Sequence, residues 1–317
     1  MKSYSRWLHY YAIFVALSTA VLLYWGGLVT STGSGLAVPD WPLSYGMLMP
    51  PMVGGIFYEH GHRMVATFVG LLTIILAFWL QKKEERQWLR VLGWIALGTV
   101  IFQGILGGIT VLFFLPVPVS VFHAMLAQTF FCLTIAIALF TSPYWKQSKR
   151  HSLSPQKTSL RTLTIGLLAV AYIQLIIGAI MRHMEAGLAI PDFPLAFGHI
   201  IPPIESAEVL VHFLHRLGAI AVTAVVLWFS IHVFKHYPSQ KALVVPAIIL
   251  LVLLAVQITL GAFVIWSGKG IAITTFHVIT GALMLGTAAV SALLAHRLIK
   301  PAPGFVRRTA ITPQNAQ

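Results

Sequence analysis

Charge is what this sequence has least of: 9% of its 317 residues are Asp, Glu, Lys or Arg, against 58% hydrophobic, where soluble globular chains carry about 25% charged residues. A soluble globular protein is excluded. Acidic residues are scarcest, 8 against 21 basic. Cysteine occurs once, as Cys132 inside an apolar stretch, so one chain can form neither a disulfide nor a thiolate metal cluster, and packing is the expected role of that thiol. An Arg- and Ser-rich amphipathic leader is also lacking, and no small-residue cleavage site ends the first apolar run, which is therefore read as retained. These features disfavour mitochondrial import and favour a prokaryotic plasma membrane.

What the chain does have is long apolar runs. Crossing about 30 Å of hydrocarbon takes roughly 20 helical residues, and eight runs qualify, near residues 8–30, 60–81, 89–114, 119–142, 162–182, 209–234, 242–266 and 271–297. The formal charge of +13 then reports topology. Seventeen of the 21 basic residues (Lys2, Arg6, Lys82, Lys83, Arg86, Arg90, Lys146, Lys149, Arg150, Lys157, Arg161, Lys235, Lys241, Arg297, Lys300, Arg307 and Arg308) flank the spans on one side. By the positive-inside rule that side is cytoplasmic and holds both termini. With the charge so explained, no nucleic-acid partner is called for; the surrounding partner is membrane lipid.

The chain also repeats itself. Gly35-Leu-Ala-Val-Pro39-Asp40-Trp41-Pro42-Leu43 recurs as Gly187-Leu-Ala-Ile-Pro191-Asp192-Phe193-Pro194-Leu195, an offset of 152. His62-Arg63 matches His215-Arg216 after one inserted residue, and Gln103, Gly107 and His123 match Gln257, Gly261 and His277 at offset 154. The halves, 1–150 and 151–317, hold four spans each, so both insert with one orientation. The expected fold is an all-α membrane protein of eight transmembrane helices, built as two tandem four-helix bundles related by a pseudo-twofold axis along the membrane normal.

Imidazoles inside apolar spans are expensive unless used. The repeat generates four, His62, His123, His215 and His277, near the outer ends of spans two, four, six and eight. Two histidines of one half, from different helices at one depth, can approach a flat cofactor from opposite faces, as a bis-imidazole haem requires. Zinc suits the pattern less, because its tetrahedral site wants three or four protein ligands. Histidines that merely donate to helix-end carbonyls are the ordinary alternative. The halves differ at one place: Glu59 in the first aligns with His212 in the second. Glu59 lies three residues before His62 and shares its face; it could act on a substrate there, or it could be a helix-end charge bridged to Arg63 at i+4. Arg63 and Arg216 fit either haem propionates or snorkelling to the interface.

The rest of the pattern is plainer. Gly26-Gly27, Gly104, Gly107-Gly108, Gly178, Gly261 and Gly281 suit close helix contacts, and Gln103 and Gln257 suit interhelical hydrogen bonds. Trp41, Tyr45, Phe193 and Phe197 in the outer loops read as interfacial aromatics or as covers for pocket mouths. His9, His151, His199, His232, His236 and His296 are expected to be solvated at interfaces. His60 points about 200° away from His62 round the helix, and His183, after Arg182, could touch an anionic group.

Taken together, Gly33-Ser-Gly-Leu36 after the first span, Glu59-x-x-His62-Arg63, and His123, His215 and His277 closely resemble the haem A synthase family over nearly the whole chain. The resemblance implies oxidation of the C8 methyl of haem O to a formyl group, giving haem A for terminal oxidases. It implies haem b held by His215 and His277, haem O as the substrate lodged by His62 and His123, and Glu59 as the catalytic carboxylate. It also implies two further partners: an electron acceptor that the sequence does not name, and the enzyme that supplies haem O. One departure stands out. Many bacterial members carry cysteine pairs in the outer loops, and residues 29–57 and 184–205 have none. Two other classes share part of the pattern. A bis-His cytochrome b electron carrier would need the histidines but not a one-sided Glu59, and a parallel-repeat transporter would explain the duplication but not the histidines.

Overall fold

The structure, a computed structural model, describes residues 6–148 and 159–299. In chain order its helices are α1 (Arg6–Ser31), α2 (Gly54–Lys83), α3 (Gln87–Leu112), α4 (Val117–Thr141), α5 (Pro143–Gln147), α6 (Leu160–His183), α7 (Ala207–His236), α8 (Lys241–Trp266) and α9 (Ile271–Leu298). All but α5 are long and apolar enough to span a bilayer, and they coincide with the eight apolar runs. No strand occurs among the described residues; isolated bridges join Ser44 to Met47 and Ala196 to His199. Short α5 was not expected; it is started by Ser142, whose hydroxyl accepts from the Trp145 amide.

The largest boundary difference is at α2, which starts at Gly54 and not near residue 60. Pro50-Pro51 and Gly54-Gly55 look like breakers. Gly54 does sit at positive φ, +53°, at the helix start, but Gly55 is helical and small for a packing reason: a methyl there would lie 2.8 Å from Cβ of Ala37. His62 is consequently two turns inside its helix.

Within residues 6–141, α1, α2, α3 and α4 each pack on the next, and α4 closes back on α1; α6, α7, α8 and α9 repeat that closed order. The two rings meet through α1 and α4 against α6 and α9. This seam demands small residues. Over its most apolar stretch α9 is 67% buried, against 17% for α8. A methyl on Gly286 would meet Ile135 at 2.7 Å, and one on Gly27 of α1 would meet Thr275 at 3.2 Å. Away from the seam, Trp7, Leu17, Ile220 and Val252 project large apolar side chains outward, as lipid-facing surfaces do and water-facing ones rarely do over so wide an area.

One end of the molecule is tied by basic side chains. Arg86 pairs with Glu84 at 2.8 Å and donates to the Phe140 carbonyl, Arg161 donates to the carbonyls of His296 and Ile299, and Arg297 donates to that of Trp145. Lys2, Lys149, Arg150, Lys157, Lys300, Arg307, Arg308 and His151 lie outside the described residues. Two histidines at this end are not simply solvated. His9 Nδ1 lies 3.0 Å from the Ala138 carbonyl, and His232 is buried with its ring 4.7 Å from that of His236. Both sit where helices converge, which a linear charge pattern does not reveal.

Candidate active site

The four repeated histidines lie at the opposite end, each on the second helix of a neighbouring pair. Each ring edge rests on a glycine of the preceding helix. A methyl on Gly26, Gly107, Gly178 or Gly261 would come within 3.2, 3.2, 3.0 and 3.2 Å of Cε1 of His62, His123, His215 and His277 respectively. These glycines hold the rings close to the neighbouring helix axis, a more specific duty than helix packing alone. Glutamines then fix three of the rings. Gln103 Nε2 lies 3.2 Å from His123 Nδ1 and donates to its carbonyl at 2.9 Å; Gln174 Nε2 lies 3.1 Å from His215 Nδ1 and donates to that carbonyl at 2.8 Å. Gln257 Nε2 lies 3.3 Å from His277 Nε2, with the Nδ1 atom of that ring buried and unpartnered. The side-chain oxygens of all three glutamines are also buried without a partner. Rotating the amide brings such an oxygen towards the ring N–H, the arrangement typical of a metal-ligating histidine.

The rings of His215 and His277 face one another with centroids 6.4 Å apart and planes at 66°. That is too far for a direct N–H···N bond. Two nitrogens each about 2 Å from a shared metal would put the centroids roughly 6 Å apart, so this pair fits one metal held between two imidazoles. In the first half the corresponding pair is His62 and His123, each seated on its own glycine. The histidines are paired and not clustered: no group of three or more metal-ligating side chains occurs among the described residues.

Glu59 is 4% exposed and lies in the second turn of α2. Its Oε1 accepts from Arg63 Nη2 at 2.6 Å, and its Oε2 accepts the Val38 amide at 2.7 Å. The i+4 bridge is therefore present, but the carboxylate also anchors the loop between α1 and α2. His212 performs the same act in the second half, its Nδ1 accepting the Ile190 amide at 3.2 Å. Val38 and Ile190 are themselves repeat-related, both fully buried. Glu59 and His212 thus differ in chemistry while sharing one place and one partner.

Arg63 and Arg216 also act on these loops. Arg63 donates to the carbonyls of Asp40 (2.8 Å) and Leu43 (2.7 Å); Arg216 donates to those of Leu195 (2.8 Å) and Asp192 (2.7 Å). The loops repeat each other in detail. The Asp40 carboxylate accepts the amides of Tyr45 and Gly46, and Asp192 accepts those of Phe197 and Gly198. These amide donors, Gly46 and Gly198 foremost, hold the two carboxyls below the ordinary aspartate value. Trp41 lies so close over α3 that a methyl on Gly108 would come within 2.6 Å of its ring. The loops are thus drawn down over the histidine end of the bundles, and the covering role fits them better than a purely interfacial one.

Three participants were less visible in the sequence. His60, placed away from His62 as expected, is buried and lies 2.8 Å from Ser44 Oγ, bracing the first loop. Arg182 crosses the seam to donate to the Gly27 carbonyl and to Ser31, leaving Nη1 buried without a partner. Gln174 is not singled out by the duplication, because its repeat counterpart is Leu22.

These features define a class: a multi-pass helical membrane protein with two histidine-lined sites at one end, each beneath a folded loop. A family model described as cytochrome oxidase assembly protein, COX15-CtaA, matches residues 53–289. The chain belongs to that family. Its curated relatives include a protein named heme A synthase in Geobacillus kaustophilus, 28% identical with 92% of each chain covered. Another of that name, in Halalkalibacterium halodurans, is 28% identical over 89% of this chain and 95% of its own. A third, in Symbiobacterium thermophilum, is 34% identical over 66% of this chain and 71% of its own.

Proposed function

We propose that this chain is a haem A synthase, a membrane oxidoreductase that converts the C8 methyl of haem O to a formyl group. Family membership and the printed names of the relatives support the activity. The observation that carries the assignment of sites is the pair Glu59 and His212: one position, one loop partner, and a carboxylate only in the first half. On this reading residues 1–150 form the half that takes haem O at His62 and His123, and residues 151–317 form the half that holds haem b at His215 and His277. The histidine end faces outward and the basic end the cytoplasm of a prokaryote.

Haem b, when bound, supplies one-electron redox chemistry. The protein's own part is local. The glycines and glutamines set the imidazoles, and the loops, held by Arg63 and Arg216, exclude water above the sites. The two guanidinium groups, each next in sequence to one of these histidines, would offer positive charge to the propionates of a bound haem. Converting a methyl to a formyl adds one oxygen atom, which water can supply, and releases four protons and four electrons, the electrons passing to the separate electron acceptor that the reaction requires. Glu59, in a dry pocket, is the group that can accept a proton from the reacting carbon substituent or stabilise positive charge developing on it. One of its oxygens already accepts from a guanidinium and the other from an amide, so its orientation is fixed before substrate arrives.

The test is chromatography of haems extracted from a host that makes haem O, with and without the chain. Haem A is expected only with the chain. Red protein with unconverted haem O would overturn the synthase reading in favour of an electron carrier. The glycine cradle gives a second check. In Gly178→Ala the new methyl, 3.0 Å from His215 Cε1, has to push the ring by a few tenths of an ångström. Haem b retention should then fall several-fold, while Gly166→Ala, with nothing within 4 Å of its new methyl, should retain haem as the parent does. Pyridine haemochrome absorbance per mole of protein measures both.

A further inference from the structure

Three of the four ligand histidines are held by a glutamine, and the fourth is not. His62 Nδ1 is buried and has no hydrogen-bond partner. The reason lies in two substitutions between the halves. Gln174, which holds His215, corresponds at offset 152 to Leu22, and Gly218, one turn beyond His215, corresponds at offset 153 to Val65. The two positions work together. A methyl on Gly218 would sit only 1.9 Å from the Gln174 side-chain oxygen, so the amide can reach His215 only because residue 218 has no side chain. In the first half both changes are present: the amide is replaced by leucine, and the space that admits it is taken by valine.

We propose that the Gln174/Gly218 and Leu22/Val65 pairs set the roles of the two halves, locking His215 as a permanent ligand and leaving His62 free to leave and rejoin the iron of its guest. The inference rests on the proposed function and deepens it. Outer hydrogen bonds to a ligand histidine fix its tautomer and orientation and raise its basicity, and losing one typically costs 10–100-fold in metal affinity. A resident cofactor profits from such a lock on both sides, and the second half has both, through Gln174 and Gln257. A substrate site must admit haem O and release its product at every turnover. There one held ligand, His123 with Gln103, keeps the porphyrin in register, and an unheld His62 opens the opposite face. Leu22 and Val65 are positioning residues on this account, acting only through His62.

The experiment transplants the lock into full-length protein loaded with haem O. Carbon monoxide binds ferrous haem only where one axial position opens, so the CO-reactive haem fraction reads ligand lability directly, independently of turnover. Leu22→Gln/Val65→Gly should lower the CO-reactive fraction of the first-half haem about tenfold and shift its absorption to the six-coordinate low-spin form. Leu22→Gln alone, blocked by Val65, should do so far less. The reciprocal Gln174→Leu/Gly218→Val should make the resident haem CO-reactive, and it keeps the test decisive if the first exchange does not fold. Haem present at both sites with CO binding unmoved by either exchange overturns the inference and leaves the proposed function intact. Parent protein that takes up no haem overturns both.

Discussion

A Glu59→His variant is expected to fold, to hold haem b at the parental level, and to make haem A at least about 10²-fold more slowly, the scale on which a positioned proton-transfer group acts. The substitution is one the protein has already made in its other half. His212 occupies the equivalent turn of α7 and accepts the Ile190 amide at 3.2 Å, as Glu59 accepts the Val38 amide at 2.7 Å. A histidine at 59 therefore keeps the loop's hydrogen bond. What it removes is the negative charge and the 2.6 Å pair with Arg63. Arg63 retains the carbonyls of Asp40 and Leu43, so it is not stranded, and the folding cost is about that of one hydrogen bond, ~1 kcal/mol. Glu59→Ala is the contrasting variant: it loses the anchor as well and should loosen residues 38–44. Haem A per mole of protein, beside proteolytic sensitivity of that loop, separates the two. Near-parental haem A from Glu59→His would return Glu59 to a purely structural role.

The same comparison shows why some of the site could be read from sequence and some could not. The spans and the four histidines are legible because bilayer thickness imposes run length and because duplication marks what both halves need. Glu59 is legible by the opposite sign, a break in the repeat. Gln174 and Gly218 are breaks too, yet they carry no signal alone. A glutamine opposite a leucine, or a glycine opposite a valine, means something only when the fold brings residues 174, 215 and 218 to one place. The arginines show a different limit. Arg63 and Arg216 suited propionates or the interface on residue type; their use on loop carbonyls depends on loops that return over the helix ends, set by Asp40 and Asp192 through turns the sequence does not spell out. The start of α2 lies ahead of its apolar run because the first turns carry Gly54, Gly55, Glu59 and His60, small or polar residues that add no apolar signal.

The second large effect concerns the site proposed to hold the resident haem. His215→Ala should reduce haem b per chain by more than about 100-fold, beyond the 10–100-fold range of outer-partner changes, and any haem that remains, held by His277 alone, should be high-spin. The geometry gives the reason. The His215 and His277 centroids stand 6.4 Å apart, close enough for both to reach one iron. Alanine leaves a gap against Gly178, and the neighbouring Gln174 amide nitrogen, which has no lone pair to give a metal, does not replace the imidazole. Because a ligand that binds only the folded state stabilises it, and does so by about 2.7 kcal/mol at 100-fold saturation, the variant should also melt earlier in detergent, and added haem should restore little of the difference. His62→Ala makes the converse case: with an unanchored imidazole removed from the other half, resident haem b and its low-spin spectrum should persist while haem A formation fails. If both variants lost resident haem equally, the division of labour between the halves would be wrong. If only His62→Ala did, the halves would have been assigned in reverse, and Glu59 would lie beside the permanent haem and not beside the substrate.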